Sequence, residues 1–266
     1  MISDILTHLS PSHPWRDHIL WLPSIGSTNT HAKELAAGGA PNGTVLIADS
    51  QTAGRGRMGR SFQSPPGAGI YMSVILRPNC RPTELMHLTC AAAVALCDAV
   101  ETALGFRPGI KWINDLVVSG KKLAGILTEL SIDPGTGLVD YAVVGIGINC
   151  TQKQDELPED IRHMACSTAM VTGKPIDRSR LAAAMITALE NMSRSLLTEK
   201  DAIMARYRRD CVTLGAEVVV LREDRRREGI ALDVDPEGAL IVAFADGTRE
   251  AVSSREVSVR GMCGYA

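Results

Sequence analysis

The property that most limits how this chain can fold is a change of period near Cys211. Upstream, segments of helical and strand-like spacing alternate, and downstream only short strand-like segments remain. The spacing predicts its clearest helix over 83–104, where Leu85, Leu88, Ala92, Leu96, Ala99 and Ala103 step by three or four and Gly105 ends the run. A second helix starts from Asp177 as N-cap and carries Leu181, Met185, Ala188, Leu189 and Met192, with a further helical piece reaching Tyr207. A shorter one is expected over 27–37, capped by Ser27 or Thr28 and stopped by Gly38-Gly39.

Residues 44–48 form an apolar, β-branched run expected to be a buried strand. Between Lys111 and Asn149 strands are expected at 116–118, 123–130 and 141–148, joined by turns at Ser119-Gly120 and Pro134-Gly135, which makes an antiparallel meander. Beyond Cys211 come five strand candidates: 217–221, 229–234, 239–244, 248–252 and 256–259. Asp235-Pro236-Glu237-Gly238 and Asp246-Gly247 supply turns between them. The expectation is an α/β (α+β) domain over 1–211, a mixed sheet flanked by helices, followed by a small β-barrel over 212–266.

The 28 basic and 30 acidic residues leave a net charge of -2, so no global positive field recruits nucleic acid or an anionic membrane. Any anion site must be local. The seven cysteines, at 80, 90, 97, 150, 166, 211 and 263, contain no C-x-x-C pair and are odd in number, which fits reduced thiols in a cytoplasm. The start of the chain lacks a basic segment ahead of an apolar one, and the longest apolar run, 90–97, is too short to span a bilayer. A soluble, cytoplasmic protein is expected. The first fifteen residues hold no element of helix-turn-helix size.

The chemistry is concentrated in a few segments. Gly54-x-Gly56-x-x-Gly59 follows a strand, as a dinucleotide-binding turn does, but Pro65-Pro66 and the absence of a 3.6 period deny it the helix that such a turn needs. What remains is a glycine-rich loop bearing Arg55, Arg57 and Arg60. It suits a flap that orders over an anion, or a solvated basic loop, or an RNA-binding segment. Lys122 begins the strand Lys122-Leu123-Ala124-Gly125-Ile126-Leu127, where strict alternation puts it on the face of Ala124 and Ile126. It is either a hairpin charge or a compact donor to a ligand, with Lys121 as its inert neighbour. Gly145 and Gly147 interrupt a buried strand, which marks close approach of backbone or ligand, and Asn149 at its end serves either a ligand or a turn.

Taken in order, Ser27-Thr28-Asn29, the stretch from Gln51 through Gly54-Arg55-Gly56-Arg57-Met58-Gly59-Arg60, KWIND at 111–115, KLAGIL at 122–127 and GIGIN at 145–149 resemble the biotin protein ligases, of the type without an N-terminal DNA-binding domain. The resemblance implies a catalytic domain followed by an SH3-like module. It also implies a two-step reaction with ATP and magnesium, in which biotin is adenylated and then transferred to a lysine of a biotin carboxyl carrier protein. By that resemblance Ser27, Thr28, Asn29, Gln51, Gly54, Arg55, Gly56, Arg57 and Lys122 contact biotin. Arg57, Arg60, Lys111, Asn114, Asp115, Lys122 and Asn149 lie toward the adenylate, and Arg57, Lys111 and Lys122 are catalytic. No residue is assigned as a metal ligand, no nucleic acid or membrane partner is expected, and the chain is read as a monomer or homodimer.

The charge argument agrees with this. A carboxylate brought to about 4 Å from a phosphate repels it by roughly 4 kcal/mol at an effective dielectric of about 20, and fixed cations must cancel that cost. Three departures from the family pattern stand out: Met58 in place of a basic residue, Ile113 in place of a proline, and no tryptophan in 150–172 to stack on adenine. A lipoate or octanoate protein ligase is the alternative within the same chemistry. A nucleic-acid-binding module using the arginine loop is the alternative outside it.

Overall fold

The computed structural model describes residues 2–222, 225–253 and 258–261. Seven strands, β1 (Ile19–Leu22), β2 (Thr44–Ala48), β3 (Gly69–Leu76), β4 (Gly109–Lys111), β5 (Asp115–Val118), β6 (Lys121–Ile132) and β7 (Val139–Asn149), form one sheet in the order β1-β2-β3-β7-β6-β5-β4. Only β1 and β2 run parallel, so the sheet is mixed, and β5, β6 and β7 are the expected meander.

Alternation along the strands assigns their two faces. Val45, Ile47, Met72, Val74, Val144, Ile146 and Ile148 point into the main core. That core is closed by α1 (Ile2–His8), α3 (Leu88–Leu104), α5 (Arg178–Ser195) and α6 (Lys200–Asp210). Leu46, Ile75 and Val143 point the other way, onto Ala32 and Ala36 of α2 (Thr28–Ala37). Because α2 covers only part of this second face, the remainder stays open, and the candidate site lies there. A short helix, α4 (Thr168–Thr172), follows β7.

The caps account for the helix limits. Asp177 accepts from the Ser179 and Arg180 amides at the start of α5, and Gly105 ends α3 with φ 78. The expected helix over 83–104 is interrupted: Pro82–Leu85 is a separate 3-10 turn and α3 starts only at Leu88. Glu84 turns back to accept from the Arg81 amide at 2.8 Å, and the intervening His87 is buried with Nε2 2.9 Å from the Leu196 carbonyl. The apolar stretch Pro82–Leu104 is mostly buried inside this fold.

Burial holds the His87 pKa below its ordinary value, with the Leu196 carbonyl opposing that effect. His13 is lowered as well, again chiefly by burial. Below about pH 6.5 the unfolded chain therefore takes up protons that the folded chain refuses, and stability falls as the pH drops. Urea unfolding at pH 7.5 and pH 5.5 should give a lower midpoint at the acid value, and His87→Gln should shrink that difference. An undiminished difference would remove His87 from the account.

After α6, the strands β8 (Glu217–Arg222), β9 (Arg225–Val234), β10 (Leu240–Phe244), β11 (Arg249–Val252) and β12 (Ser258–Gly261) form an antiparallel sheet in the order β11-β10-β9-β8-β12. All five expected strands have a counterpart, although the start of the expected 256–259 strand lies outside the described residues. This small sheet is joined to the large one at β4. The Val212 amide donates to the Ile110 carbonyl at 2.9 Å, the Trp112 amide to Thr213 Oγ1 at 2.9 Å, and Trp112 Nε1 to the Gly238 carbonyl at 2.9 Å. Gly238 sits at φ +91, and a Cβ there would lie 3.1 Å from Cys90 Sγ, so the turn touches the core directly. Six of the cysteines are free and buried, and Cys263 lies outside the described residues.

Candidate active site

A cavity of about 560 Å³ opens on the α2 face of the large sheet. Its floor is strand backbone from β6 and β7, one end is the start of α2, the opposite wall is the β4–β5 turn, and the arginine loop lies across it. Among the residues singled out in the sequence, Ser27, Thr28, Asn29, Gln51, Arg55, Gly56, Arg57, Arg60, Lys111, Asn114, Asp115 and Lys122 all line this one space.

The α2 end is a chain of neutral donors and acceptors. Gln51 Oε1 accepts from the Thr28 amide at 2.9 Å and from Thr28 Oγ1 at 3.1 Å, while Gln51 Nε2 donates to Ser64 Oγ at 2.8 Å. Ser73 Oγ lies 2.8 Å from Thr28 Oγ1 and 2.7 Å from Asn29 Oδ1. Thr28, Asn29 and Ser73 are buried, so these groups are held rather than free to turn. Gly54 is buried at the base of the loop and does not line the cavity; a Cβ there would stand 2.4 Å from the Phe62 carbonyl oxygen.

The two glycines of β7 have separate reasons. A Cβ on Gly145 would stand 1.8 Å from Asn29 Oδ1, and one on Gly147 would stand 2.5 Å from the Phe62 ring. Gly145→Ala must push Asn29 out of its seat, a close-packed insertion of the kind that costs about 1–3 kcal/mol. For the activity that the sequence resemblance implies, the expected outcome is a rise of roughly tenfold or more in the KM for biotin, beyond the loss of stability, checked by steady-state kinetics beside thermal melts. An unchanged KM would separate Asn29 from that subsite.

At the opposite wall the strict alternation expected for β6 fails. Leu116 pairs with Ala124 but Val117 pairs with Lys122, so Leu123 is an extra, bulged residue. The bulge moves Lys122 off the face of Ala124 and onto that of Gly125, where a Cβ would lie 3.2 Å from Lys122 Nζ. Lys122 Nζ stands 2.8 Å from Asp115 Oδ1. On its other edge the Lys122 backbone is clamped, its amide donating to the Met164 carbonyl at 2.7 Å and its carbonyl accepting from the Cys166 amide at 2.8 Å. Lys121 does not line the cavity.

The arginine loop is a small closed hairpin. Phe62 N donates to Gly54 O at 2.9 Å and Gly56 N to Arg60 O at 2.6 Å, with Met58 at φ 55 and Gly59 at φ +73 at its tip. Met58 is 63% exposed at the loop tip and is one of the residues lining the cavity, so an apolar side chain stands there in place of a further positive charge. Arg57 Nη1 reaches across to Asn114 Oδ1 at 2.7 Å, and Asn114 is itself tied to the Ile126 carbonyl at 2.9 Å. Burial lowers the Arg57 pKa, and the nearby Asp115 charge works against that effect. Arg57 thus brings a desolvated positive charge to the cavity, where charge acts most strongly.

Asn149 is not brought into the cavity. Its Nδ2 donates to the Cys166 carbonyl at 3.1 Å and its Oδ1 accepts from Gln152 Nε2 at 3.2 Å, so its amide serves the segment after β7. Glu129 was missed by the sequence reading. It stands on the same face of β6 as Gly125 and Leu127, and binds Lys33 Nζ at 2.8 Å, Asn29 Nδ2 at 3.1 Å and Arg55 Nη1 at 3.2 Å. Burial alone would raise its pKa, but Lys33, Asn29 and Arg55 together hold the carboxyl below its ordinary value. The one signal for it in the sequence is its two-residue spacing from Gly125 and Leu127.

The large mixed sheet thus carries a cationic cavity under a glycine-arginine loop, and a small antiparallel sheet follows it. Residues 21–149 match the Biotin/lipoate A/B protein ligase family, and residues 213–260 match the Biotin protein ligase C terminal domain. The chain is 36% identical over 221 residues to a biotin--[acetyl-CoA-carboxylase] ligase of Mycobacterium tuberculosis, covering 81% of this chain and 79% of that protein. It is 35% identical over 238 residues to the bifunctional ligase/repressor BirA of Bacillus spizizenii, covering 89% of this chain and 73% of that one. The structure matches a biotin protein ligase from Aquifex aeolicus in complex with biotin and ATP, with a TM-score of 0.76 and 28% identity, over 92% of this chain and 99% of that one. The chain belongs to the biotin protein ligase family.

Proposed function

We propose that this chain activates biotin with ATP and passes the biotinyl group to one lysine of a biotin carboxyl carrier protein. In the first step a biotin carboxylate oxygen attacks the α-phosphorus of ATP, forming biotinyl-5'-AMP as pyrophosphate leaves. In the second the carrier lysine amine attacks the acyl carbon, an amide forms, AMP leaves and the amine gives up a proton. No enzyme nucleophile is required, so the protein's task is positioning and charge compensation.

The observation that carries this reading is the convergence of Arg57, Lys111 and Lys122 on one cavity whose other end is the neutral network of Thr28, Asn29 and Gln51. In this reading Ser27, Thr28, Asn29, Gln51 and the Arg55-Gly56-Arg57 loop hold biotin, while Arg60, Lys111, Asn114 and Asp115 face the nucleotide. Lys122 stands at the junction, where carboxylate and phosphate meet. Among the described residues no three His, Cys, Asp or Glu side chains group together to cage a metal. A magnesium ion brought by ATP would take oxygens from the phosphates and water, with Asp115 the carboxylate that lines the cavity. We assign residues 1–211 to catalysis and 212–266 to the C-terminal module, and take the carrier protein rather than DNA or a membrane as the macromolecular partner, in the cytoplasm.

The test is label transfer. The protein is incubated with ATP, magnesium and labelled biotin, lipoate or octanoate, together with the matching carrier domains. Transfer from biotin to the biotin carrier is expected, and transfer confined to lipoate or octanoate would overturn the reading.

A further inference from the structure

The arginine loop is held at two points, one of them on the cavity wall. Arg57 reaches Asn114 on the β4–β5 side, and Arg55 Nη1 lies 3.2 and 3.3 Å from the two oxygens of Glu129 on β6. The hydrogen bonds at its base, Phe62 to Gly54 and Gly56 to Arg60, make the hairpin move as a unit. Its seat over the cavity is therefore set by how these two arms are held.

Glu129 is built as a fixed post. Its side chain is 20% exposed against 45% for Arg55, and Lys33 and Asn29 of α2 hold its carboxylate independently of the loop. When Arg55 lets go, the carboxylate stays in place. Asn29 joins the post to the α2 end of the cavity, because its other atoms meet Ser73 Oγ and the Leu127 carbonyl. Filling that end of the cavity and seating the loop thus act on the same side chain.

We propose that Glu129 is the positioning residue that seats the arginine loop, gripping it through Arg55 and coupling it to the acid-substrate end of the cavity through Asn29. The inference rests on the reaction proposed above. A half-exposed ion pair is weak, so the seat is reversible and its loss should change loop closure by roughly twofold to fivefold rather than abolish the reaction.

The experiment uses the full chain. Biotinyl-adenylate is formed in place with labelled biotin and ATP, excess unlabelled biotin is added, and release of label is timed. Glu129→Gln and Arg55→Gln should each speed release severalfold, and the double variant should be no faster than either. Lys33→Met removes one of the two α2 contacts that hold the carboxylate but leaves Asn29 and Arg55 in place, so it should speed release less than E129Q does. Wild-type release from E129Q, multiplying effects in the double variant, or an equal effect of Lys33→Met would overturn the proposal.

A readout independent of chemistry accompanies it. Trypsin should nick the ligand-free loop after Arg55, Arg57 or Arg60 faster in E129Q than in the wild type, at equal melting temperature. If E129Q melts lower, loop nicking and release in E129D, which keeps the charge, should return toward wild type, and failure to return would overturn the proposal. If the wild type forms no adenylate, the proposed reaction fails, and unchanged nicking in E129Q would separately refute the post.

Discussion

Replacing Lys122 by alanine is expected to lower the rate of adenylate formation by about two to three orders of magnitude, the usual loss when one preorganised charge donor is removed from a reacting centre. The geometry makes the effect specific. Lys122 is turned into the cavity by the bulge at Leu123, and its backbone is clamped to 164–166, so Lys121 is not presented in its place. Its loss also takes from Asp115, whose side chain is only 14% exposed, the ammonium 2.8 Å away. Lys121→Ala, one residue along the same strand, should leave the rate within about twofold, because Lys121 does not line the cavity. Pyrophosphate release under single-turnover conditions, with urea melts as the control on folding, reads both. Equal losses in the two variants would show that the bulge does not decide which lysine acts.

The second large effect is expected from Arg57→Gly, and it concerns fidelity more than rate. Arg57 is the side chain by which the hairpin reaches the far wall, through Asn114. Without it the loop keeps its base and its Arg55 arm but no longer closes over a mixed anhydride, and closure is what shields such an intermediate from water and stray amines. Adenylate should leave the enzyme roughly ten to a hundred times faster, on the scale of a lost charge-assisted hydrogen bond. Labelling should spread to lysines of a bystander protein present in the same tube. Mass spectrometry of that bystander measures the spread. Retention as tight as in the wild type would assign the shielding to some other part of the loop.

Much of the architecture was legible because it rests on local rules. The end of α3 at Gly105, the Asp177 cap of α5 and the meander of β5 to β7 follow from period, caps and turns, and tertiary packing agreed with them. The site was legible where each motif presents its own residue directly, as Thr28, Gln51, Arg57 and Lys111 do. It failed where the answer depends on pairing between distant segments. Alternation put Lys122 beside Ala124 because a period of two assumes an unbroken ladder, and a bulge shows only in the register against β5. The placing of Asn149 outside the cavity lining has a related reason. Its partners Gln152 and Cys166 come from an irregular segment whose path no periodicity describes. Glu129 was overlooked because a charged residue in a strand looks like an ordinary solvent-facing position, until α2 and the loop are folded against it.

The join between the two sheets has a consequence for anyone who would treat them as separable cassettes. A fragment ending at 211 would retain every cavity-lining residue named above, yet the tryptophan between Lys111 and Asn114 would have lost both of its hydrogen-bond acceptors, Thr213 Oγ1 and the Gly238 carbonyl. The catalytic wall is thus written in one half of the chain and propped up by the other. A change at Thr213 or Gly238 in the C-terminal part would therefore be felt at the cavity wall through Trp112.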